Sequence, residues 1–253
     1  MTDLVKISEA NGVMEIIWNR PDKKNALSNA MYRAATAALA RAVEDKSIRV
    51  VVISSEGDSF TSGNDLADFA SAAMGGEAPA AHGFIEAIIQ FPKPIVAAVS
   101  GLAVGVGTTM LLHCDLVYVA SDAKLTTPFV NLALVPEAAS SVLLPSRIGH
   151  VRSFAMFALG DAMTGDQAAQ LGLANAAMPK EQVIAAAREA AAKLAQRPIG
   201  AVMAAKKLMR DGEKILAQSR TEGAIFGERL RSAEAMEAFT AFQQKRAPDF
   251  SKL

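Results

Sequence analysis

The stretch Ile95-Val96-Ala97-Ala98-Val99-Ser100-Gly101-Leu102-Ala103-Val104-Gly105-Val106-Gly107 joins an apolar run to a turn that holds three glycines. Its first six residues have the composition of a strand buried on both faces. The residues that follow the glycine turn have a helical pattern. Glycines at such a junction let the backbone pack closely or approach a ligand, and the first amides of the helix are unpaired donors. The turn does not match the dinucleotide pattern G-x-G-x-x-G, because Met110 stands at the third glycine position. Close packing and an anion or oxyanion site therefore both remain open.

Segments on both sides of this junction continue the alternation of strands and helices. Val13–Trp18, Arg49–Ser54 and Asp115–Ser121 are short and rich in β-branched residues, which predicts strands. Ser28 is placed to be the N-cap of an alanine-rich helix. From Ser140 onward the pattern is almost wholly helical. The sequence therefore predicts an α/β core with a helical C-terminal part.

The composition is that of an ordinary globular protein, with 51% hydrophobic residues in a chain of 253. Basic and acidic side chains number 26 each, so binding to nucleic acid or to an anionic membrane through bulk charge is not expected. The lone cysteine, Cys114, excludes an internal disulfide, and the three histidines are scattered, so no metal site is expected. No apolar run reaches the ~20 residues that cross a bilayer. We expect a bacterial-type cytoplasmic protein; the alternative is the peroxisomal matrix, if Ser251-Lys252-Leu253 is read as an address.

A second polar turn, Phe60-Thr61-Ser62-Gly63-Asn64-Asp65-Leu66, also lies between a strand and a helix. Asp65 alone is most simply an N-cap. Amides from this turn and from the glycine turn could instead point at one carbonyl oxygen and stabilise charge that develops on it. The small residues of Ala72–Ala80 predict a mobile loop or lid beyond the turn.

Glu137 is an acid in the otherwise apolar stretch Asn131–Ser141. Burial there would raise the pKa of its carboxyl and make it a useful general base. The alternative is a carboxylate near the start of the next helix that complements the helix dipole, and acids are common at such positions. The residues alone leave both interpretations open.

Several motifs, taken together and in order, resemble the enoyl-CoA hydratase/isomerase (crotonase) superfamily. They are Asn19-Arg20-Pro21 with Asn25-Ala26-Leu27, then Ser62–Leu66, then Pro94–Gly101 leading to Cys114-Asp115. The resemblance implies a crotonase-like spiral of ββα units over residues 1–195 and a C-terminal helical trimerisation region over residues 196–253. It also implies an acyl-CoA thioester substrate, a homotrimer or hexamer, and no cofactor beyond the CoA of the substrate.

The resemblance assigns roles to individual residues. The backbone N–H groups of Asn64 and Val106 would form the oxyanion hole, and Glu137 would be the catalytic acid and base. The residues implied in binding the substrate and its CoA group are Lys24, Ala26, Ser62, Asn64, Asp65, Leu66, Gly105 and Phe129.

One departure from the family pattern narrows the predicted reaction. The two glutamates of the family's hydratases correspond here to Thr109 and Phe129, neither of which can act as a base. Glu137 stands eight residues beyond Phe129, as in the peroxisomal-type 3,2-enoyl-CoA isomerases, which use one glutamate. The dienoyl-CoA isomerases also need an acid at the position of Phe129. We therefore predict a 3,2-enoyl-CoA isomerase; the alternatives are a hydratase-like enzyme with another water-activating site and a noncatalytic acyl-CoA-binding module.

Overall fold

The computed structural model describes residues 2–65, 67–68 and 79–253. Leu66 and most of the predicted lid, residues 72–78, lie outside the described residues. No helix in the described part is long and apolar enough to cross a bilayer.

The strands form two sheets. Six strands make the larger sheet, in the order β1 (Val5–Ala10), β2 (Val13–Trp18), β3 (Val50–Ser55), β4 (Ile95–Val99), β6 (Leu116–Ala120) and β9 (Ala176–Met178). Three strands make the smaller sheet, in the order β5 (Leu102–Val104), β7 (Lys124–Thr126) and β8 (Met163–Thr164). The larger sheet is parallel from β2 to β9, and the smaller sheet pairs β5 with β7 in parallel. The chain passes from β4 in the larger sheet to β5 in the smaller sheet, and again from β6 to β7. Each of these repeats therefore adds one strand to each sheet.

The described residues include ten α-helices. In chain order they are α1 (Asn29–Glu44), α2 (Ala81–Gln90), α3 (Val106–Thr109), α4 (Ser140–Ile148), α5 (His150–Phe154), α6 (Gly165–Gln170), α7 (Lys180–Ala195), α8 (Ile199–Met209), α9 (Gly212–Leu230) and α10 (Ala233–Gln243). A π-helical turn, Ala155–Leu159, follows α5. Short 3-10 helices cover Pro21–Lys23, Met110–His113, Val130–Leu132 and Phe250–Lys252.

Local chemistry explains where α1 begins and ends. Ser28 accepts a hydrogen bond from the Met31 N–H, which confirms it as the N-cap. Beyond the other end, the buried Lys93 ammonium donates to the carbonyls of Ala42, Asp45 and Ile48. The Lys93 side chain thus binds carbonyl groups at the end of α1 and in the turn that follows it, where helix geometry supplies too few donors.

The larger sheet is where the sequence prediction was most accurate. Val13–Trp18 is a strand with the predicted bounds, the strand predicted over Arg49–Ser54 is shifted by one residue, and the one predicted over Asp115–Ser121 loses one residue at each end. Short strands such as β5 and β9 were missed, and β8 and β9 interrupt the predicted helical run after Ser140. These strands have two or three residues, too few to show a period, and are formed by pairing with a neighbour.

Candidate active site

The two polar turns of the sequence meet where the sheets adjoin. Thr61 pairs in parallel with Ala103: its N–H donates to the Leu102 carbonyl at 2.9 Å, and its carbonyl accepts from Val104 at 3.1 Å. Asn64 and Val106 each lie three residues beyond this pair, and the two turns are still in contact between Gly63 and the carbonyl of Val104.

Glycine is required at this meeting of the turns. Gly63 has φ +92°, and a Cβ there would lie 2.9 Å from the carbonyl oxygen of Val104. A larger residue would push the two turns apart. The two backbones can approach this closely because Gly63 has no side chain.

The backbone N–H groups of Asn64 and Val106 donate no hydrogen bond within the described part of the chain. The neighbouring amides are occupied, since Asp65 donates to Leu27 at 2.9 Å and Gly105 donates to Thr126 at 2.9 Å. Val106 also begins α3, where helix geometry leaves the first amides unpaired. Free donors on two turns that meet in this way are the kind of group that can bind an oxygen on which negative charge develops.

Tyr32, a residue that the sequence analysis did not single out, holds the side chain of Asn64. Its hydroxyl donates to Asn64 Oδ1 from the buried face of α1. Burial, and secondly the charge of Glu137, raise the pKa of Tyr32 well above its ordinary value, so the hydroxyl stays protonated as a donor. Tyr32 therefore fixes Asn64 and lies within electrostatic reach of Glu137.

Glu137 precedes α4 and accepts a hydrogen bond from the hydroxyl of Thr109. Burial raises the pKa of the Glu137 carboxyl to about 7; the Thr109 hydrogen bond acts in the opposite direction, and Glu222 adds to the rise. A carboxyl that titrates near neutral pH can both accept and return a proton.

The competing interpretation of Glu137, as a carboxylate that complements the start of a helix, is not supported by these contacts. The carboxylate that reaches the first turn of α4 belongs to Glu222, which accepts from the N–H of Ser141 at 3.0 Å. Glu137 directs its carboxyl to Thr109 on α3 instead.

Asn64 and Glu137 line one cavity of about 440 Å³. One wall is formed by α2 and the other by α9, through Ser219, Gly223, Phe226, Gly227 and Leu230. The remaining described residues that line it are Pro79, Ala81, His82, Ile85, Glu86, Ala138, Arg220 and Arg231. The free amide of Asn64 and the carboxyl of Glu137 thus belong to the same mostly apolar space.

Four of the predicted CoA-binding residues form one patch at the outer side of the Asn64 turn. Ser62 donates its N–H to the carbonyl of Lys24 at 2.9 Å. Arg20 donates to the carbonyl of Ala26 at 3.1 Å and to the carboxylate of Asp65 at 2.5 Å. Asp65 also accepts from the N–H of Ala67 at 2.9 Å, as an N-cap would.

Gly105 and Phe129 are adjacent to the glycine turn. A Cβ on Gly105 would lie 3.9 Å from the ring of Phe129, which packs against Phe157 with ring centroids 6.0 Å apart. Neither is among the described residues that line the 440 Å³ cavity. Gly105 and Phe129 thus border the glycine turn and are not part of the cavity wall.

The described residues contain no group of three or more His, Cys, Asp or Glu side chains that could hold a metal ion. The Glu86 carboxylate is bound by Arg220 at 2.8 Å, whereas Glu137 accepts from an uncharged hydroxyl.

The family model of enoyl-CoA hydratase/isomerase matches residues 8–252. This chain belongs to that family. It is 33% identical over 246 residues to enoyl-CoA delta isomerase 2 of Rattus norvegicus, covering 94% of this chain but only 63% of that protein. It is 31% identical over 253 residues to 2,3-dehydroadipyl-CoA hydratase of Escherichia coli, covering 99% of both. A crystal structure of an enoyl-CoA hydratase/isomerase from Pseudoalteromonas atlantica T6c has a TM-score of 0.93 and 39% identity, covering 98% of this chain and 100% of that one.

Membership of the enoyl-CoA hydratase/isomerase family confirms the predicted family and the crotonase-like α/β fold. Members of this family act on acyl-CoA thioesters. Both isomerases and hydratases are among the relatives at about 30% identity.

Two features of the site were not predicted from the sequence: the second acid, Glu222, and the cavity wall formed by α9. Glu222 falls on the buried stripe of α9 with Phe226 and Leu230, at a spacing of four residues. A charged residue on the apolar stripe of a helix is the signal that could have identified it.

Proposed function

We propose that this protein is a 3,2-enoyl-CoA isomerase, which moves a 3-cis or 3-trans double bond of an acyl-CoA thioester to the 2-trans position. The chemistry is that needed in oxidation of unsaturated fatty acids. Glu137 carries this proposal, because its partly buried carboxyl has a pKa raised to about 7 and it lines the same cavity as Asn64. The cavity volume of about 440 Å³ is within the usual range for small-molecule sites.

In the proposed reaction, the carboxylate of Glu137 removes a proton from C2 of a 3-enoyl-CoA. The electron pair delocalises into the thioester and gives a dienolate, whose oxygen accepts hydrogen bonds from the N–H groups of Asn64 and Val106. Each such donor is worth roughly 10²–10³ in rate. The protonated Glu137 then delivers the proton to C4, which leaves the double bond between C2 and C3 and restores the carboxylate.

Hydration needs a further group to activate and deliver water, and two positions are relevant to it. By the resemblance to the family's hydratases, Thr109 and Phe129 stand where those enzymes carry glutamates. Thr109 donates its hydroxyl to Glu137, and Phe129 packs against Phe157. Neither side chain can act as a base toward water, which favours isomerisation over hydration.

The direct test uses purified protein with 3-hexenoyl-CoA in deuterated buffer, followed by NMR. We expect 2-trans-hexenoyl-CoA as the product. Glu137→Gln is expected to keep the fold and to reduce turnover by roughly 10²–10⁴. The control is Glu189→Gln, the same change on an exposed face of α7, which should retain full turnover. Full isomerase turnover by Glu137→Gln would refute the role given to this carboxyl.

A hydratase-like enzyme is the second candidate, favoured by the similarity to the Escherichia coli hydratase along nearly the whole of both chains. Rapid conversion of 2-trans-hexenoyl-CoA to a 3-hydroxyacyl-CoA, without isomerisation of 3-hexenoyl-CoA, would select it. Tight binding of both thioesters with no turnover would select a noncatalytic acyl-CoA-binding module.

The proposed reaction uses no cofactor and no metal, since CoA is part of the substrate. Assembly as a homotrimer or hexamer, through residues 196–253, stays a prediction, as does the cytoplasmic location. Leu208 and Met209 at the end of α8 are 88% and 87% exposed, which is consistent with a surface that a second copy covers. Light scattering of the purified protein would measure the number of subunits.

A further inference from the structure

Glu222 is a buried acid that the proposed reaction does not use. It lies on α9 with 5% of its surface exposed. One carboxylate oxygen, Oε2, is buried and has no hydrogen-bond partner within the described residues. Because an isolated buried carboxylate is strongly unfavourable, a group of this kind requires an explanation.

The other oxygen of Glu222 is bound to the start of α4. Oε1 accepts from the N–H of Ser141 at 3.0 Å and from the hydroxyl of the same residue. Gln218, one turn earlier on α9, donates to that hydroxyl at 3.0 Å. Ser141 stands four residues after Glu137, so α9 holds the far end of the turn that carries the proposed catalytic acid.

The turn between these two points has an unfavourable backbone conformation. Ala138 and Ala139 have φ values of +59° and +56°. Each non-glycine residue in this region costs about 1–2 kcal/mol, and such residues persist where their surroundings hold them in place. One such contact comes from His113, whose ring Nε2 lies 2.8 Å from the carbonyl oxygen of Ala138. The two hydrogen bonds from Ser141 to Glu222 are the second such contact.

We propose that Glu222 is a positioning residue for Glu137: from α9 it holds the strained turn and keeps a buried carboxyl near the reacting one. This inference rests on the proposed function of Glu137. It also gives the unpartnered oxygen of Glu222 a purpose, because its negative charge disfavours the ionised form of the neighbouring acid.

The electrostatic consequence has a definite direction. After burial, the charge of Glu222 raises the pKa of Glu137, and burial likewise raises the pKa of Glu222. The other titratable or charged groups around the two carboxyls are Tyr32 from α1, His82 and Glu86 from α2, His113, and Arg220 and Arg231 from the cavity wall. Glu222→Gln keeps an oxygen for Ser141 but removes the charge, so it should lower the pKa of Glu137.

Kinetic measurements would separate the effect of the Glu222 charge on Glu137 from the effect of its hydrogen bonds with Ser141. Glu222→Gln should move the acidic limb of kcat/KM to lower pH and keep kcat within about threefold of wild type. Glu222→Ala also loses the contact with Ser141, so its kcat should fall by about 10-fold to 100-fold with little change in KM. Glu228→Gln, the same change at an exposed position of α9, should alter neither. Wild-type kcat in Glu222→Ala, or an unmoved acidic limb in Glu222→Gln, would overturn the inference.

A measurement that needs no turnover separates this inference from the proposed function. Protein labelled with ¹³C at glutamate carboxyls is titrated by NMR, and the Glu137 resonance is the one that Glu137→Gln removes. The Glu137 pKa should be lower in Glu222→Gln than in wild type, even if 3-hexenoyl-CoA is not isomerised. An unchanged or higher pKa would refute the role of Glu222 while leaving the isomerase proposal intact.

Discussion

Glu137→Gln should make the protein more stable at alkaline pH while it abolishes turnover. In the folded protein the pKa of Glu137 rises from an ordinary 4.5 to about 7. The folded state therefore holds this proton more tightly than the unfolded state, and stability falls as pH rises through that interval. Each unit of pKa corresponds to about 1.4 kcal/mol, so the wild type should lose about 3 kcal/mol between about pH 4 and pH 8 through this one group.

The glutamine variant has no such loss, because its amide is neutral at every pH and still accepts the hydrogen bond from Thr109. Urea unfolding at equal protein concentration is the assay, since assembly would make the midpoint depend on concentration. The variant and the wild type should have similar free energies of unfolding at about pH 4 and differ by about 3 kcal/mol at about pH 8.

An exposed acid provides the control for this experiment. Lys193 lowers the pKa of Glu189 through a hydrogen bond on the surface of α7, so Glu189→Gln removes a favourable contact. It should give no stabilisation at alkaline pH. If Glu137→Gln is no more stable than the wild type at about pH 8, the carboxyl is hydrated in the folded protein and the reasoning from burial is wrong.

Three further substitutions test contacts around the site and the core. Thr109→Val removes the hydrogen bond that lowers the pKa of Glu137, so the acidic limb of kcat/KM should move to higher pH; an unmoved limb would contradict the contact. Tyr32→Phe leaves the Asn64 side-chain oxygen without its donor and should reduce kcat/KM for 3-hexenoyl-CoA by about tenfold, and unchanged kinetics would show that Asn64 is held otherwise. Lys93→Met leaves the carbonyls of Ala42 and Ile48 without a donor among the described residues, while that of Asp45 keeps the Ile48 N–H, and should lower the free energy of unfolding by about 2–4 kcal/mol in urea denaturation; a loss below about 1 kcal/mol would mean that water replaces the ammonium.

The sequence was most informative where function depends on local backbone. Two polar turns that each precede a helical pattern predicted free backbone donors, and the family resemblance assigned those donors to Asn64 and Val106. Glu137 stood out for a similar reason, as an acid among apolar neighbours. In each case the signal lies within a few residues of the group itself.

Contacts between distant parts of the chain could not be read in this way. The hydroxyl of Thr109 and the carboxyl of Glu137 are 28 residues apart, and Glu222 meets Ser141 across 81 residues. Periodicity shows that α9 has a buried stripe but does not say which surface the stripe covers. The resemblance supplied the family and the fold, while the orientation of α9 against the cavity required the structure.

The cavity has two walls of different origin. Asn64 and Glu137 precede α9 in the chain, and α9 contributes apolar side chains such as Phe226 and Leu230. Under the proposed function, substitution of Phe226 or Leu230 would change the space for the acyl tail, whereas substitution of Glu222 on the same helix would also change the turn that carries Glu137. One helix would therefore influence both the choice of acyl chain and the reactivity of the acid, through different side chains.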